Sequence, residues 1–148
     1  MAKDFHIMIV EDSPEDYEVL SRAIKKAEMP AQMTHCFTGE EAIQLLTHLS
    51  SSSDSYDLHD TTLPDIILLD LNLPGTDGYG VLEFVKARND IAYIPVIVFS
   101  TSTNPTDIKK SYKMGANSYI PKPQDLKSYK KMALHFKGYW MDCVSLYK

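Results

Sequence analysis

Short apolar runs alternate with longer amphipathic segments from one end of this chain to the other. Five runs have the length of β-strands, and the segments between them repeat apolar residues at helical spacing. Such alternation is typical of β-α units with right-handed crossovers, so it predicts an α/β fold in which helices cover both faces of a five-stranded parallel sheet. The third and fourth runs are almost continuously apolar, which predicts central strands. The predicted strands are residues 6–10, 33–37, 65–70, 95–100 and 118–120.

Capping residues mark where the helices begin. Ser13 precedes a proline and two acids, the pattern of an N-cap followed by a first helical turn. Thr38 stands three residues before Glu41, as in a capping box, and Asn104 precedes another proline. With Gly78, these residues predict a helix after each of the first four strands.

Chain length and charge narrow the class of protein. A chain of 148 residues suits one domain, and its net charge of -5 gives no general attraction for nucleic acid. No apolar run reaches the roughly 20 residues that a membrane span needs, and the N-terminus does not resemble a secretory signal. We therefore expect a cytoplasmic protein without a nucleic-acid or membrane partner. Cys36 and Cys143 fit no metal or disulfide pattern and are expected to be reduced.

Residues 50–63 form an unusually long connection before the third strand. The segment contains four consecutive serines and several acids. This composition predicts a solvated loop, and a partner-binding loop is the alternative.

Polar side chains follow the predicted strands. Glu11 and Asp12 follow the first strand, Asp70 ends the third, Ser100 ends the fourth and Lys122 follows the fifth. Because the carboxyl ends of parallel strands share one edge of the sheet, we expect these groups to converge. Clustered carboxylates repel each other unless a cation lies among them, and Mg²⁺ prefers carboxylate and phosphate oxygens. Lysine and hydroxyl donors suit a phosphoryl group, so the sequence predicts a magnesium-dependent phosphoryl-transfer site.

These residues, in this order, resemble the receiver domain of two-component response regulators. The match runs from about residue 6 to residue 137 and includes the stretch Asp-Leu-Asn-Leu-Pro-Gly-Thr-Asp-Gly at 70–78 and the Lys-Pro pair at 122–123. The resemblance implies a flavodoxin-like sheet with strand order 2-1-3-4-5. It also implies a regulator that accepts a phosphoryl group from a sensor histidine kinase. Such a protein catalyses only its own phosphorylation and dephosphorylation, so we expect no enzyme activity on other substrates.

The resemblance assigns a role to each residue of the predicted metal site. Asp70 would be the phosphoacceptor. Asp12, Asp70 and the backbone carbonyl of Asn72 would bind Mg²⁺, and Glu11 would act through water. Lys122 would bind the phosphoryl group, aimed by a cis peptide bond that the family has at this position.

The resemblance also implies a switch. The hydroxyl of Ser100 would move toward the phosphoryl group, and the ring of Tyr119 would follow it. Each residue has a structural alternative as well, because Ser100 can end a strand and Tyr119 can pack in the core.

The C-terminal segment carries a stripe of large aromatic side chains. Apolar residues recur every three or four positions to the end of the chain, which is more than a small sheet needs for cover. The stripe either packs wholly on its own sheet or forms an interface, and we favour homodimerisation through residues 125–148. Gly138 is where a continuous helix would be interrupted. The predicted interface residues are Phe136, Tyr139, Trp140 and Tyr147.

Several stretches narrow the resemblance to the small response regulators paired with bacterial, chiefly cyanobacterial, phytochromes. They are the long loop, the run Ile-Pro-Val-Ile-Val at 94–98, the run Ser-Thr-Ser at 100–102, the stretch 111–117 and the aromatic tail. The narrower resemblance implies a phytochrome-type kinase and a single receiver domain spanning residues 1–148.

Two other functions use similar residues. Phosphatases of the haloacid dehalogenase type need a second acid two residues after the nucleophile, where this chain has Asn72. A receiver-like adaptor that works without phosphorylation usually lacks an acid or the lysine, whereas Glu11, Asp12, Asp70 and Lys122 are all present here. Both remain alternatives to the phosphorylated regulator.

Overall fold

Five parallel strands alternate with five helices in the computed structural model, which describes residues 5–51 and 62–147. The strands lie in the order β2-β1-β3-β4-β5, so the predicted α/β fold and strand order are confirmed. Most of the predicted loop at 50–63 lies outside the described residues. In chain order the elements are β1 Phe5–Val10, α1 Pro14–Lys26, β2 Ala31–Cys36, α2 Gly39–Ser51, β3 Ile66–Leu69, α3 Gly78–Ala87, β4 Val96–Ser100, α4 Pro105–Lys113, β5 Ser118–Pro121 and α5 Leu126–Trp140.

Strand boundaries agree with the sequence pattern best in the middle of the sheet. Every residue of β1, β3 and β4 is buried, as continuous apolar runs predict. The edge strand β2 begins at Ala31, two residues before its predicted start, because Ala31 pairs with Phe5 at the beginning of β1. Most of β2 is only half-buried, so polar residues alternate with apolar ones along it. The first residues of the strand therefore do not form an apolar run that the sequence alone would identify.

The capping residues act as the sequence predicts. Ser13 Oγ accepts a hydrogen bond from the Asp16 N–H at 3.2 Å at the start of α1. Thr38 Oγ1 accepts one from the Glu41 N–H at 3.1 Å before α2, and Asn104 Oδ1 caps α4. Each cap satisfies a backbone donor that the first helical turn leaves unpaired, which typically stabilises a helix by about 1 kcal/mol.

Two apolar layers hold the helices against the sheet. One contains Met8 and Val10 from β1 and packs under α2 and α3. The other, the α1–α5 layer, contains Ile7 and Ile9 and packs under α1 and α5. Because successive strand residues point to opposite faces, β1 contributes side chains to both layers. Each fully buried aliphatic side chain contributes about 1.5–3 kcal/mol of transfer free energy.

The helix α5 is continuous to Trp140, so Gly138 does not interrupt it. A side chain at Gly138 would meet no atom within 4 Å, which places this residue on open surface. Beyond Trp140 the chain turns back toward the sheet. Leu146 packs against the α1–α5 layer, and the ring of Tyr147 meets the ring of Tyr93 edge-on at 4.8 Å. Among the described helices, none is both long and apolar enough to cross a membrane.

A buried histidine in β1 is expected to make the stability depend on pH. The Nε2 atom of His6 is hydrogen-bonded to Thr34 Oγ1 at 2.7 Å. Burial lowers the pKa of His6 below its usual value of 6.5, although the charge of Asp65 opposes this shift. Because the unfolded chain binds the proton more readily, the contribution of His6 to the free energy of unfolding should fall as pH drops below about 6.5.

Urea unfolding between about pH 7.5 and 5.5 tests this expectation. The His6→Gln variant keeps a polar side chain but cannot titrate there, so the stability of the natural protein should fall relative to that of the variant as pH drops over this range. An equal change in both proteins would contradict the role of His6.

Candidate functional site

Three carboxylates meet at the carboxyl edge of the sheet. Val10 pairs with Leu69 at the ends of β1 and β3, so the next residues, Glu11 and Asp70, are neighbours. The Asp70 N–H donates to the Val10 carbonyl at 3.0 Å and fixes this arrangement. One carboxylate oxygen each from Glu11, Asp12 and Asp70 lie within 4.8 Å of one another. Glu11 and Asp70 are buried, and Asp12 is exposed.

The ammonium group of Lys122 forms ion pairs with both buried carboxylates. The Lys122 N–H donates to the Ser100 carbonyl at 2.8 Å, which holds the lysine at the end of β5 beside β4. Its Nζ lies 2.6 Å from Glu11 Oε1, 2.8 Å from Asp16 Oδ2 and 3.2 Å from Asp70 Oδ2. The structure therefore brings together the predicted lysine, two predicted acids and one acid that the sequence analysis missed.

The pKa values at this edge reflect burial and crowding. Burial raises the pKa of Glu11 to about 7, and the charge of Asp70 adds to the increase while Lys122 opposes it. Burial alone would lower the pKa of Lys122, but hydrogen bonds to Asp16 and Glu11 and the charge of Asp70 raise it above its ordinary value. The lysine therefore remains an ammonium.

The donor set fits a divalent cation. Three carboxylates, from Glu11, Asp16 and Asp70, contact one ammonium. A fourth, from Asp12, lies within 4.8 Å of Glu11 and Asp70, so carboxylates outnumber ammonium groups at this edge. Carboxylate oxygens are the ligand type that Mg²⁺ and similar hard cations prefer. The exposed position of Asp12 gives a cation access to the cluster.

Ser100 and Asn72 lie at the same edge. Ser100 is fully buried, and its Oγ accepts a hydrogen bond from the Ser102 N–H at 3.2 Å. The Asn72 N–H donates to Asp70 Oδ1 at 3.2 Å. Gly78 is required near this loop because a Cβ there would lie 2.3 Å from the Asp70 carbonyl oxygen. The loop after β3 is therefore folded tightly back on Asp70.

A hydrogen-bond network that the sequence analysis missed joins β5 to α3 and α4. The Tyr119 hydroxyl donates to the Ser102 carbonyl at 2.7 Å. The Ser102 hydroxyl donates to Asp107 at 2.6 Å, and the Tyr79 hydroxyl donates to the same carboxylate at 2.9 Å. These bonds, that of Ser102 foremost, lower the pKa of Asp107. Tyr79 and Asp107 are 28 positions apart, so no local pattern indicates their contact.

Asp16 is the other missed residue, because it was interpreted only as an acid in the first turn of α1. A sequence signal existed, since a helix that starts at Pro14 carries its first turn along the carboxyl edge of the sheet. The expected cis bond before Pro123 is also corrected, because no described peptide bond is cis. The lysine is instead oriented by its contacts with Glu11, Asp16 and Asp70.

The four predicted interface residues are not equivalent. Phe136 is 5% exposed and packs in the α1–α5 layer, whereas Tyr139 is 54% exposed. Phe136 lies on the same helical stripe as Tyr129 and Ala133, so its ring faces the sheet, and the expectation that it faces a partner is corrected. Tyr147 is exposed, and Trp140 is partly buried against the same layer.

Known proteins resemble this chain over almost its full length. The model of the response regulator receiver domain family matches residues 7–133. Response regulator Rcp1 of Synechocystis sp. is 33% identical over 140 residues, which cover 95% of this chain and 91% of Rcp1.

Two solved structures extend the comparison. The phosphorylated cyanobacterial phytochrome response regulator RcpA is 32% identical with a TM-score of 0.85, over 99% of this chain and 100% of RcpA. The Mn²⁺-bound form of Rcp1 is 32% identical with a TM-score of 0.82, over 97% and 99% of the two chains. The comparisons give no support to a haloacid dehalogenase phosphatase. The chain belongs to the response regulator receiver domain family and is a two-component response regulator close to those of cyanobacterial phytochromes.

Proposed function

We propose that this chain is a single receiver domain that is phosphorylated on Asp70 by a sensor histidine kinase and signals through protein contacts. The observation that carries the proposal is the position of the Asp70 carboxylate. It lies 3.2 Å from the Lys122 ammonium and within 4.8 Å of two further carboxylates. A nucleophile, a cation for phosphoryl oxygens and donors for a metal thus share one edge of the sheet.

The proposed chemistry is an in-line phosphoryl transfer. A carboxylate oxygen of Asp70 forms a bond to phosphorus while the bond from phosphorus to the donor histidine nitrogen breaks. The electron pair of that bond stays on the imidazole, which takes up a proton. Lys122 and Ser100 then bind oxygens of the phosphoryl group, and the buried position of Ser100 limits competition from water. Because the acceptor is a residue of the chain itself, the protein does not turn over other substrates.

The proposed metal is Mg²⁺. Its ligands would be Asp12, Asp70 and the backbone carbonyl of Asn72, with Glu11 acting through water. When bound, Mg²⁺ supplies positive charge that offsets the charge of the transferring phosphoryl group. The excess of carboxylates over ammonium groups at this edge supports the proposal, as does the Mn²⁺-bound structure of Rcp1.

The proposed kinase is of the phytochrome type, and the proposed location of the regulator is the cytoplasm. The resemblance to RcpA, described as a phytochrome response regulator, supports this pairing.

The proposed switch consists of Ser100 and Tyr119, and Ser102 lies between them. The Ser102 N–H donates to Ser100 Oγ at 3.2 Å, while its carbonyl accepts from the Tyr119 hydroxyl at 2.7 Å. If the Ser100 hydroxyl turns toward a phosphoryl oxygen, the Ser102 N–H loses its hydrogen-bond acceptor. The Ser102 peptide can then move, which changes the hydrogen bond between its carbonyl and the Tyr119 hydroxyl. The hydrogen bond from Ser102 to Asp107 carries the change to α4.

A direct test is intact mass spectrometry after incubation with acetyl phosphate. With MgCl₂ the protein should gain one phosphoryl group that is labile at alkaline pH, and with EDTA it should gain none. A protein that gains no group with Mg²⁺, and does not bind beryllofluoride, would contradict the proposal and favour a phosphorylation-independent adaptor.

We further propose that the C-terminal element, residues 125–148, forms a homodimer interface. Tyr139 lies exposed on α5 with its ring edge-on to Trp140 at 5.0 Å, and large aromatics of this kind are enriched at interfaces. Replacing Tyr139 with serine should weaken dimerisation by about tenfold or more.

Light scattering with and without beryllofluoride measures this effect. The matched control is Phe37→Ser, which removes an exposed aromatic at the opposite edge of the sheet and should leave the dimer intact. A natural protein that is monomeric in both conditions would contradict the homodimer.

A further inference from the structure

The ammonium of Lys122 has no hydrogen-bond donor to spare. A protonated lysine carries three N–H groups, and three carboxylates lie within reach of its Nζ. The two shorter distances are to Glu11 and Asp16, and the longest, 3.2 Å, is to Asp70. In this state the ammonium therefore lies nearer to the carboxylates of Glu11 and Asp16 than to that of Asp70, the proposed phosphoacceptor.

The three carboxylates differ in their access to water. The side chains of Glu11 and Asp70 are 4% and 7% exposed, whereas that of Asp16 is 41% exposed. A buried carboxylate that loses its cation is strongly destabilised, but an exposed one is rehydrated at little cost. Of the three contacts, the one with Asp16 is the least costly to break.

The position of Asp16 in the helix also favours its release. Asp16 lies in the first turn of α1, where its own N–H donates to Ser13 Oγ at 3.2 Å. The unpaired N–H groups at a helix start carry partial positive charge, which stabilises a nearby carboxylate even without a lysine. A free Asp16 is therefore supported by its own helix.

We propose that Asp16 is a positioning residue that holds Lys122 in the unphosphorylated protein and releases it when a phosphoryl group joins Asp70. The inference rests on the function proposed above. Phosphorylation then draws the ammonium toward the phosphoryl oxygens, and the carboxylate of Asp16 is left as an unpaired negative charge at the start of α1. The start of α1 thereby becomes a second place, apart from Ser100 and Tyr119, where the phosphorylated and unphosphorylated forms differ.

The proposal predicts that Asp16 competes with the phosphoryl group for Lys122. Beryllofluoride stands in for the phosphoryl group on the aspartate, and ¹⁹F NMR at saturating Mg²⁺ measures its binding. The Asp16→Asn variant should bind it about three- to tenfold more tightly than the natural protein, because an uncharged amide oxygen holds the ammonium less strongly than a carboxylate does. Asp16→Glu, which keeps the charge, should return the affinity toward the natural value.

Glu15→Gln is the matched control for the lost charge. Glu15 lies in the same helical turn and is exposed, and its carboxylate accepts from the Ser13 hydroxyl at 3.2 Å. The affinity of Glu15→Gln for beryllofluoride should stay within about twofold of the natural value, since screened surface charges interact weakly. The affinity of Asp16→Asn for Mg²⁺ alone is a second control. Loss of an acid should leave this affinity unchanged or weaker, so tighter binding of beryllofluoride would then reflect release of Lys122 and not a general improvement of the site.

The outcomes distinguish this inference from the proposed function. If the natural protein binds no beryllofluoride, the proposed function fails. If the natural protein binds it and Asp16→Asn binds it equally or less tightly, phosphorylation does not release Asp16 and this inference is wrong. Tighter binding in Glu15→Gln of the same size would also overturn it, because charge alone would then explain the effect.

Discussion

Replacing Asp70 with asparagine is expected to abolish phosphorylation while leaving the fold intact. An amide oxygen is a far weaker nucleophile than a carboxylate oxygen, so the rate should fall by about a thousandfold or more. The substitution also removes a negative charge that helps to raise the pKa of Glu11. Without metal, Asp70→Asn should therefore be at least as stable as the natural protein, because the repulsion between buried carboxylates is smaller.

Mass spectrometry over time, with acetyl phosphate and MgCl₂, measures the loss of phosphorylation. Asp77→Asn is the matched control, because it removes a carboxylate from the same loop. Asp77 accepts from the Gly80 N–H at 3.0 Å as the N-cap of α3, and asparagine caps helices equally well. The control should be phosphorylated at the natural rate. Phosphorylation of Asp70→Asn at that rate would place the acceptor on another residue.

The sequence was most informative where the order of residues alone determines position. A residue that follows a strand of a parallel sheet lies at the carboxyl edge, whatever the helices do. Glu11 and Asp70 could therefore be predicted as neighbours, and the pairing of Val10 with Leu69 places them side by side. The caps of α1, α2 and α4 were equally local, because each depends on residues within four positions of one another.

Contacts that depend on how elements pack were not predictable in this way. The contact between Asp16 and Lys122 joins residues 106 positions apart and depends on the direction in which α1 leaves the sheet. The network of Tyr79 and Asp107 depends on the spacing between α3 and α4. For Phe136, the helical spacing identified the stripe, but the extent of the α1–α5 layer decides which of its aromatics are buried.

Replacing Lys122 with methionine is expected to destabilise the metal-free protein by about 3–5 kcal/mol at alkaline pH. The reason is that Glu11 and Asp70 remain buried and charged after their shared cation is removed. Methionine fills a similar volume, so lost packing contributes little. The loss should be far larger than for Lys130→Met, a control that removes an exposed lysine from α5.

The size of this loss should depend on pH through Glu11. Burial raises the pKa of Glu11 to about 7, and Lys122 is among the groups that hold it down, so the variant should raise it further. A group whose pKa is higher in the folded than in the unfolded protein loses stabilising free energy as pH rises through the folded value. The deficit of Lys122→Met should therefore be small near about pH 5.5 and largest above about pH 8.

Addition of Mg²⁺ should reverse much of the deficit, because a cation bound by the same carboxylates replaces the missing positive charge. The deficit shrinks because the variant, which lacks the competing ammonium, should bind Mg²⁺ more tightly than the natural protein, and each tenfold difference in dissociation constant corresponds to about 1.4 kcal/mol. Urea unfolding of both proteins at two pH values, with EDTA and with MgCl₂, measures all three effects. If the deficit of Lys122→Met were the same under all four conditions, the lysine would contribute through packing, and the carboxylates would not depend on its charge.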